Sequence, residues 1–124
     1  MDAKQYLQQI FFLKHMIKDN LQELEKLKEI STSLRGVFHR DNTTVILEKE
    51  ITERIEEFQA KKREIENLIG EVNDSRLKTI LLKRYVHLKH WETISDDLEQ
   101  SYRNVSRLHN KALKEFETLY NCKH

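Results

Sequence analysis

Apolar residues in the first third of the chain fall at Ile10, Leu13, Ile17, Leu24, Leu27 and Leu34, in steps of three and four once Asn20 and Ser31 are counted in their places. This heptad-like stripe predicts an amphipathic helix from about residue 2 to residue 34. Leu7, Phe11, Phe12 and Leu21 widen it near the start, and Asp2 with Gln5 fits a capping box that uses a carboxylate. Between Ser33 and Thr43 the period lapses. Gly36 and the cap-type residues Asp41, Asn42 and Thr43 predict a turn there, with a second helix starting near Thr43. Its stripe runs through Ile51, Ile55, Phe58, Ile65, Ile69 and Val72, with Lys62 in a charged seam position. Two such helices form a long antiparallel hairpin over residues 1–73, but a hairpin hides only one side of each helix. Phe11, Phe12 and Leu68 are left over, and this residue predicts oligomerisation or partner binding through the hairpin, a homodimer being the simplest form.

Gly70 and Asn73-Asp74-Ser75 mark a junction, with Asp74 or Ser75 as the natural cap of the next helix. No Gly/Ser-rich or Pro-rich linker follows, so the C-terminal unit, residues 74–124, is expected to be held at a defined angle. Three helices are predicted in it, at about 75–88, 91–98 and 101–120, with Ile94 and Leu98 facing Val105 and Leu108. The last pair, separated by a tight turn, reads as a helix-turn-helix. Ser101 is the N-cap of the last helix, and Val105, Leu108 and Ala112 form its apolar face. The opposite face carries Arg103, Asn104, Ser106, Arg107, Asn110, Lys111 and Lys114, with no acid from Ser101 to Lys114.

Composition narrows the class. Two glycines, no proline and 35% charged residues favour helix nearly throughout, so the fold class is all-α. The net charge of +1 hides an asymmetry: residues 1–73 hold twelve Lys/Arg against fourteen Asp/Glu, and residues 74–124 hold ten against seven. An anionic partner is therefore expected at the C-terminal end. Cys122 is the only cysteine, which excludes an intrachain disulfide and fits a reducing cytoplasm. The start, Met-Asp-Ala-Lys-Gln-Tyr-Leu, has no basic region leading into an apolar run, and eighteen apolar residues never occur together, so neither secretion nor a membrane span is expected.

The C-terminal fifty residues resemble the promoter-reading C-terminal domain, region four, of bacterial sigma factors. The matching text is Leu82-Lys83-Arg84-Tyr85, Trp91-Glu92-Thr93-Ile94, Asp97-Leu98, Ser101-Tyr102-Arg103-Asn104-Val105 and Leu108-His109-Asn110-Lys111-Ala112-Leu113-Lys114. The whole chain is similar to small transcriptional regulators encoded by phages and prophages of Gram-positive bacteria, and Asp-Ala-Lys-Gln-Tyr-Leu before a Leu/Glu-rich helix is part of that likeness. The resemblance implies base-reading positions at Tyr102, Arg103, Ser106 and Arg107, with Arg84 and Lys111 on phosphates. Ser101, Asn104, Asn110 and Lys114 complete the expected phosphate set. Sigma factors carry Arg and then Glu at the first two reading positions and Gln at the last, so Tyr102, Arg103 and Arg107 imply another target sequence. The other sigma domains have no counterpart in this sequence, so a site-specific regulator rather than a complete sigma factor is expected.

Arg103 and Arg107 lie one helical turn apart, and each guanidinium could donate two hydrogen bonds to guanine O6 and N7, worth about 1–3 kcal/mol of discrimination. Ser101 can cap the helix, touch a phosphate, or do both. Tyr102 can meet a thymine methyl or a phosphate, or pack over the turn. Trp91 reads as a core anchor that sets the interhelical angle, and His109 as packing. His87 with His90, or Cys122 with His124, match no zinc-finger spacing, so neither metal nor cofactor is expected. No phosphate loop, nucleophile elbow or His-Glu-x-x-His occurs, and the Glu-rich face of residues 48–57 reads as solvated, so an enzyme is not expected. The expected function is sequence-specific binding of double-stranded DNA to regulate transcription, of the phage late-gene activator type, with RNA polymerase left open as a second partner. The alternative is a helical adaptor that binds polymerase or another regulator without touching DNA.

Overall fold

The computed structural model describes residues 1–35 and 42–124. It is all-α, with no strand among the described residues. The elements are α1 (Ala3–Leu7), α2 (Gln9–Arg35), α3 (Asn42–Ile69), α4 (Ser75–Leu81), a π-helical segment (Leu82–Val86), α5 (Trp91–Leu98) and α6 (Tyr102–Lys123). The turn expected around Gly36 and Asp41 lies outside the described residues. No described helix is long and apolar enough to cross a membrane.

The chain forms two compact units, Met1–Phe11 with Lys61–His124, and Phe12–Ala60. This division is cut differently from the sequence segments 1–73 and 74–124. Both ends of the expected hairpin belong with the C-terminal helices, because their apolar residues complete that core. Leu7, Ile10, Ile65 and Ile69 are fully buried in the same unit as Leu77, Ile80, Leu81, Ile94, Ala112 and Phe116. Tyr6 stacks on Phe116 with ring centroids 6.2 Å apart and tilts against Tyr120 at 5.0 Å. The Tyr120 hydroxyl donates to the Met1 carbonyl at 3.0 Å, so the start of the chain is tied to the end of α6. Leu68, expected to be left over, is buried here as well.

Local signals explain the starts of these helices. Asp2 and Gln5 form the capping box reciprocally: the Gln5 amide donates to Asp2 Oδ1 at 2.7 Å, and the Asp2 amide to Gln5 Oε1 at 2.9 Å. The helix expected to run unbroken from residue 2 turns at Gln8, between α1 and α2. Asp74 caps α4 by accepting from the Arg76 and Leu77 amides. The helix expected over 75–88 is α-helical only to Leu81. Over Leu82–Val86 its hydrogen bonds widen to the π pattern, as in the His87 amide donating to the Leu82 carbonyl at 2.9 Å.

In the Phe12–Ala60 unit, Leu13, Ile17, Asn20, Leu24 and Leu27 are the half-buried side of α2, as the stripe predicts. On α3 the seam differs from the expected one. It runs through Thr44, Leu47, Ile51, Arg54 and Phe58, while Ile55 is exposed. Arg54 holds the seam place because its guanidinium donates to Asn20 Oδ1 on α2. The polar partner of Asn20 is therefore Arg54, which an apolar-only count of the period could not include.

Candidate nucleic-acid interface

α5 and α6 are joined by Glu99, Gln100 and Ser101. Glu99 closes α5 in the left-handed region, φ 53° and ψ 40°, where glycine is the usual residue. Its amide donates to the Asp96 carbonyl and that of Gln100 to the Ser95 carbonyl, both at 3.1 Å, which satisfies the carbonyls that the end of α5 leaves open. Ser101 then caps α6, its Oγ accepting from the Asn104 amide at 3.1 Å. The cap role foreseen for Ser101 is thus occupied, and its side chain remains at the exposed start of the helix.

Val105, Leu108, Ala112 and Phe116 bury one stripe of α6. The helical period then leaves Tyr102, Arg103, Ser106, Arg107, Asn110, Lys111 and Lys114 exposed on the same element, without an acid among them. Tyr102, the one large hydrophobic side chain on that face, is 59% exposed. Arg107 is held in place: its Nε and NH2 donate to Asn104 Oδ1 at 3.2 and 2.8 Å. Asn104 in turn donates to Gln100 Oε1. This Gln100–Asn104–Arg107 chain orients the Arg107 guanidinium and leaves three of its five N–H donors for a partner. Gln100 was not foreseen, because nothing in its own identity signals that it braces a neighbour one turn away.

Arg84 is placed differently from the rest of the expected phosphate set. The π-helical segment turns it inward, where it is half-buried, stacks on Trp91 at 4.8 Å and donates from NH1 to the Lys89 carbonyl at 3.0 Å. Trp91, expected as a core anchor, is only half-buried; it forms a wall, edge-on to His109 at 4.5 Å. Tyr85 and His109 share a hydrogen bond of 2.7 Å and stack at 5.8 Å, so His109 does pack, as expected. Burial lowers the His109 pKa to about 4, with help from the nearby charges of Lys4 and Arg84, and the ring is therefore neutral near pH 7. Burial also pushes the Tyr85 hydroxyl up.

These rings line a cavity of about 240 Å³. Lys4 and Gln8 reach it from the first turns of the chain, and Tyr102, Val105 and Ser106 from α6. Sequence reading missed Lys4 and Gln8, since they lie some eighty residues before Arg84 and share no pattern with it. Lys83 and Lys89 converge on Asp97 Oδ2 at 3.1 and 3.0 Å. Those two hydrogen bonds, that of Lys89 first, hold the Asp97 carboxyl below its usual range. The Asp97 pair thus ties the π-helical segment and the turn after it to α5. Among the described residues no three His, Cys, Asp or Glu side chains gather as metal ligands.

A family model described as "Protein of unknown function (DUF1492)" matches residues 41–117, which take in α3, α4, α5 and most of α6. No curated protein and no solved structure matches the chain.

Proposed function

The chain belongs to the DUF1492 family of proteins of unknown function, and we propose, from its own residues, that it is a sequence-specific double-stranded DNA-binding transcriptional regulator that reads the major groove with the first four turns of α6. The observation that carries the reading is the exposed face of Tyr102, Arg103, Ser106, Arg107, Asn110, Lys111 and Lys114, without a carboxylate, opposite a fully packed stripe. A helix held by one side can present such a face to phosphate-lined grooves. Tyr102, Arg103, Ser106 and Arg107 are the base-reading set. Ser101, Asn104, Asn110, Lys111 and Lys114 border it as phosphate contacts, with Asn104 acting also as the brace of Arg107. The likeness to sigma region four and to phage regulators supports a late-gene activator in a bacterial host, with RNA polymerase as a second partner.

Exposed Met16, Leu21, Ile30, Val45, Ile46 and Ile55 in the Phe12–Ala60 unit support a homo-oligomeric role for it. In a dimer the two α6 helices would sit about 34 Å apart, or a multiple of that, over repeated half-sites. The same apolar residues are what an adaptor without DNA contact would use. An adaptor has no need of an acid-free basic face at the start of α6, and this favours the DNA-binding reading.

Selection of bound fragments from bacterial or phage genomic DNA by the purified protein tests the reading. One short motif should be enriched and then lost in Arg103→Ala/Arg107→Ala, and affinity should fall with salt at a log-log slope of roughly −4 to −5 for four to six phosphate contacts. Binding without a motif, or none at all, would overturn it in favour of the adaptor.

A further inference from the structure

We infer that the cavity between the start of the chain and the π-helical segment is a phosphate-binding site, with Lys4 and Arg84 as its cations. The inference deepens the DNA-binding reading, in that the favoured occupant is a backbone phosphate beside the groove. Four features point to an anion. Lys4 and Arg84 both line the cavity and both act on the electrostatics of His109, so their charges converge on one place. Among the described residues no carboxylate lines it with them. Arg84 is preorganised by the Trp91 ring beneath it and by its one bond to the Lys89 carbonyl, which leaves its other N–H donors available. His109 contributes an uncharged ring there, and Ser106 and Tyr102 bring hydroxyl groups.

A tetrahedral phosphate oxyanion accepts from several donors at once, which is the complement of a guanidinium edge, an ammonium and hydroxyls. The π-helical segment is what brings Arg84 and Tyr85 to the cavity together, and such segments are frequent where a side chain must be re-aimed for function. Continuity identifies the source of the phosphate. Tyr102 and Ser106 belong both to this cavity and to the exposed face of α6, so a duplex read by that face carries its backbone past the opening. Lys4 thereby becomes a DNA contact supplied by the opening turn of the chain.

Trp91 is the only tryptophan and lines the site, so its emission reports occupancy. The full chain is titrated with inorganic phosphate against chloride at matched ionic strength, and separately with a selected DNA duplex over a salt series. Native protein, Lys4→Gln and Arg84→Gln are compared, and Arg84→Lys preserves the charge should Arg84→Gln unfold. Phosphate should change Trp91 emission saturably. Lys4→Gln, whose side chain is exposed and outside the core, should weaken that response at least about fivefold and reduce the DNA salt slope by about 0.9, the loss of one phosphate contact. A reduced slope without a response to free phosphate still supports the site, occupied by backbone alone. A saturable phosphate response that Lys4→Gln weakens, with the DNA slope unchanged, supports it as a site for free phosphate. Neither effect in a folded Lys4→Gln protein overturns the inference while leaving the DNA reading intact. Failure of the native protein to bind DNA, with the phosphate response retained, removes the DNA reading alone.

Discussion

The unit made of Met1–Phe11 and Lys61–His124 and the unit Phe12–Ala60 are built from the same kind of helix, yet they bury their apolar residues to different depths. In the first, nine large side chains, from Leu7 to Phe116, are inaccessible because helices from both ends of the chain surround them. In the second, only Thr44, Leu47 and Ile51 are buried among the described residues, and the α2 stripe is half-buried from Leu13 to Leu27. A pair of helices can cover one stripe of each partner; a closed core needs further elements on the remaining sides. Amphipathic period alone therefore did not distinguish the two regions.

The largest test of this contrast is a pair of truncations. Phe116→Ala opens a cavity in a closed core and should cost about 3–5 kcal/mol, whereas Ile51→Ala, in a setting that can relax, should cost about 2 kcal/mol or less. Urea melts followed by hydrogen exchange would measure both. Equal costs would mean that Phe12–Ala60 is packed as tightly in solution as the other unit.

A second effect belongs to the closed unit only. His109 has a folded-state pKa of about 4, below its unfolded value near 6.5, so the unfolded chain binds more protons between those limits. Stability should thus be full above about pH 6.5 and fall as the pH drops towards 4. The loss should be roughly 1–2 kcal/mol, less than the full shift implies because the ring keeps some solvent contact. The difference between native protein and His109→Gln across this range isolates the effect; parallel pH profiles would show that the ring is not held neutral by burial.

The smallest expected change lies in the other unit. Arg54→Ala leaves Asn20 without its partner and should destabilise by about 0.5–1.5 kcal/mol. Replacing both by leucine should restore or exceed native stability while broadening the distribution of oligomers seen by light scattering, because the polar pair specifies register more than it adds stability. An unchanged, single species would show that register is set elsewhere.

Much of the fold was legible locally. The capping box of Asp2 and Gln5, the caps at Asp74 and Ser101, the helix boundaries of α5 and the apolar stripe of α6 depend on residues within a turn or two of each other, which is the range over which sequence pattern carries physical information. The exposed basic face of α6 was legible for the same reason, since it is the complement of that stripe. Ile55 and Arg54 exchanged roles because a long side chain can reach a polar partner from a seam position, which a count of apolar residues does not register.

Chain order and helical period determined by themselves that this protein is all-α and that α6 carries a polar face free of acids as far as Lys114. Tertiary packing alone decided that the first eleven residues complete the C-terminal core, that the π-helical segment turns Arg84 onto Trp91, and that Lys4 shares a cavity with both. The physical reason is range. Caps and periods act through bonds between near neighbours, whereas the mating of distant stripes depends on which surfaces fit, and hydrophobic burial carries no directional label that a linear pattern could display.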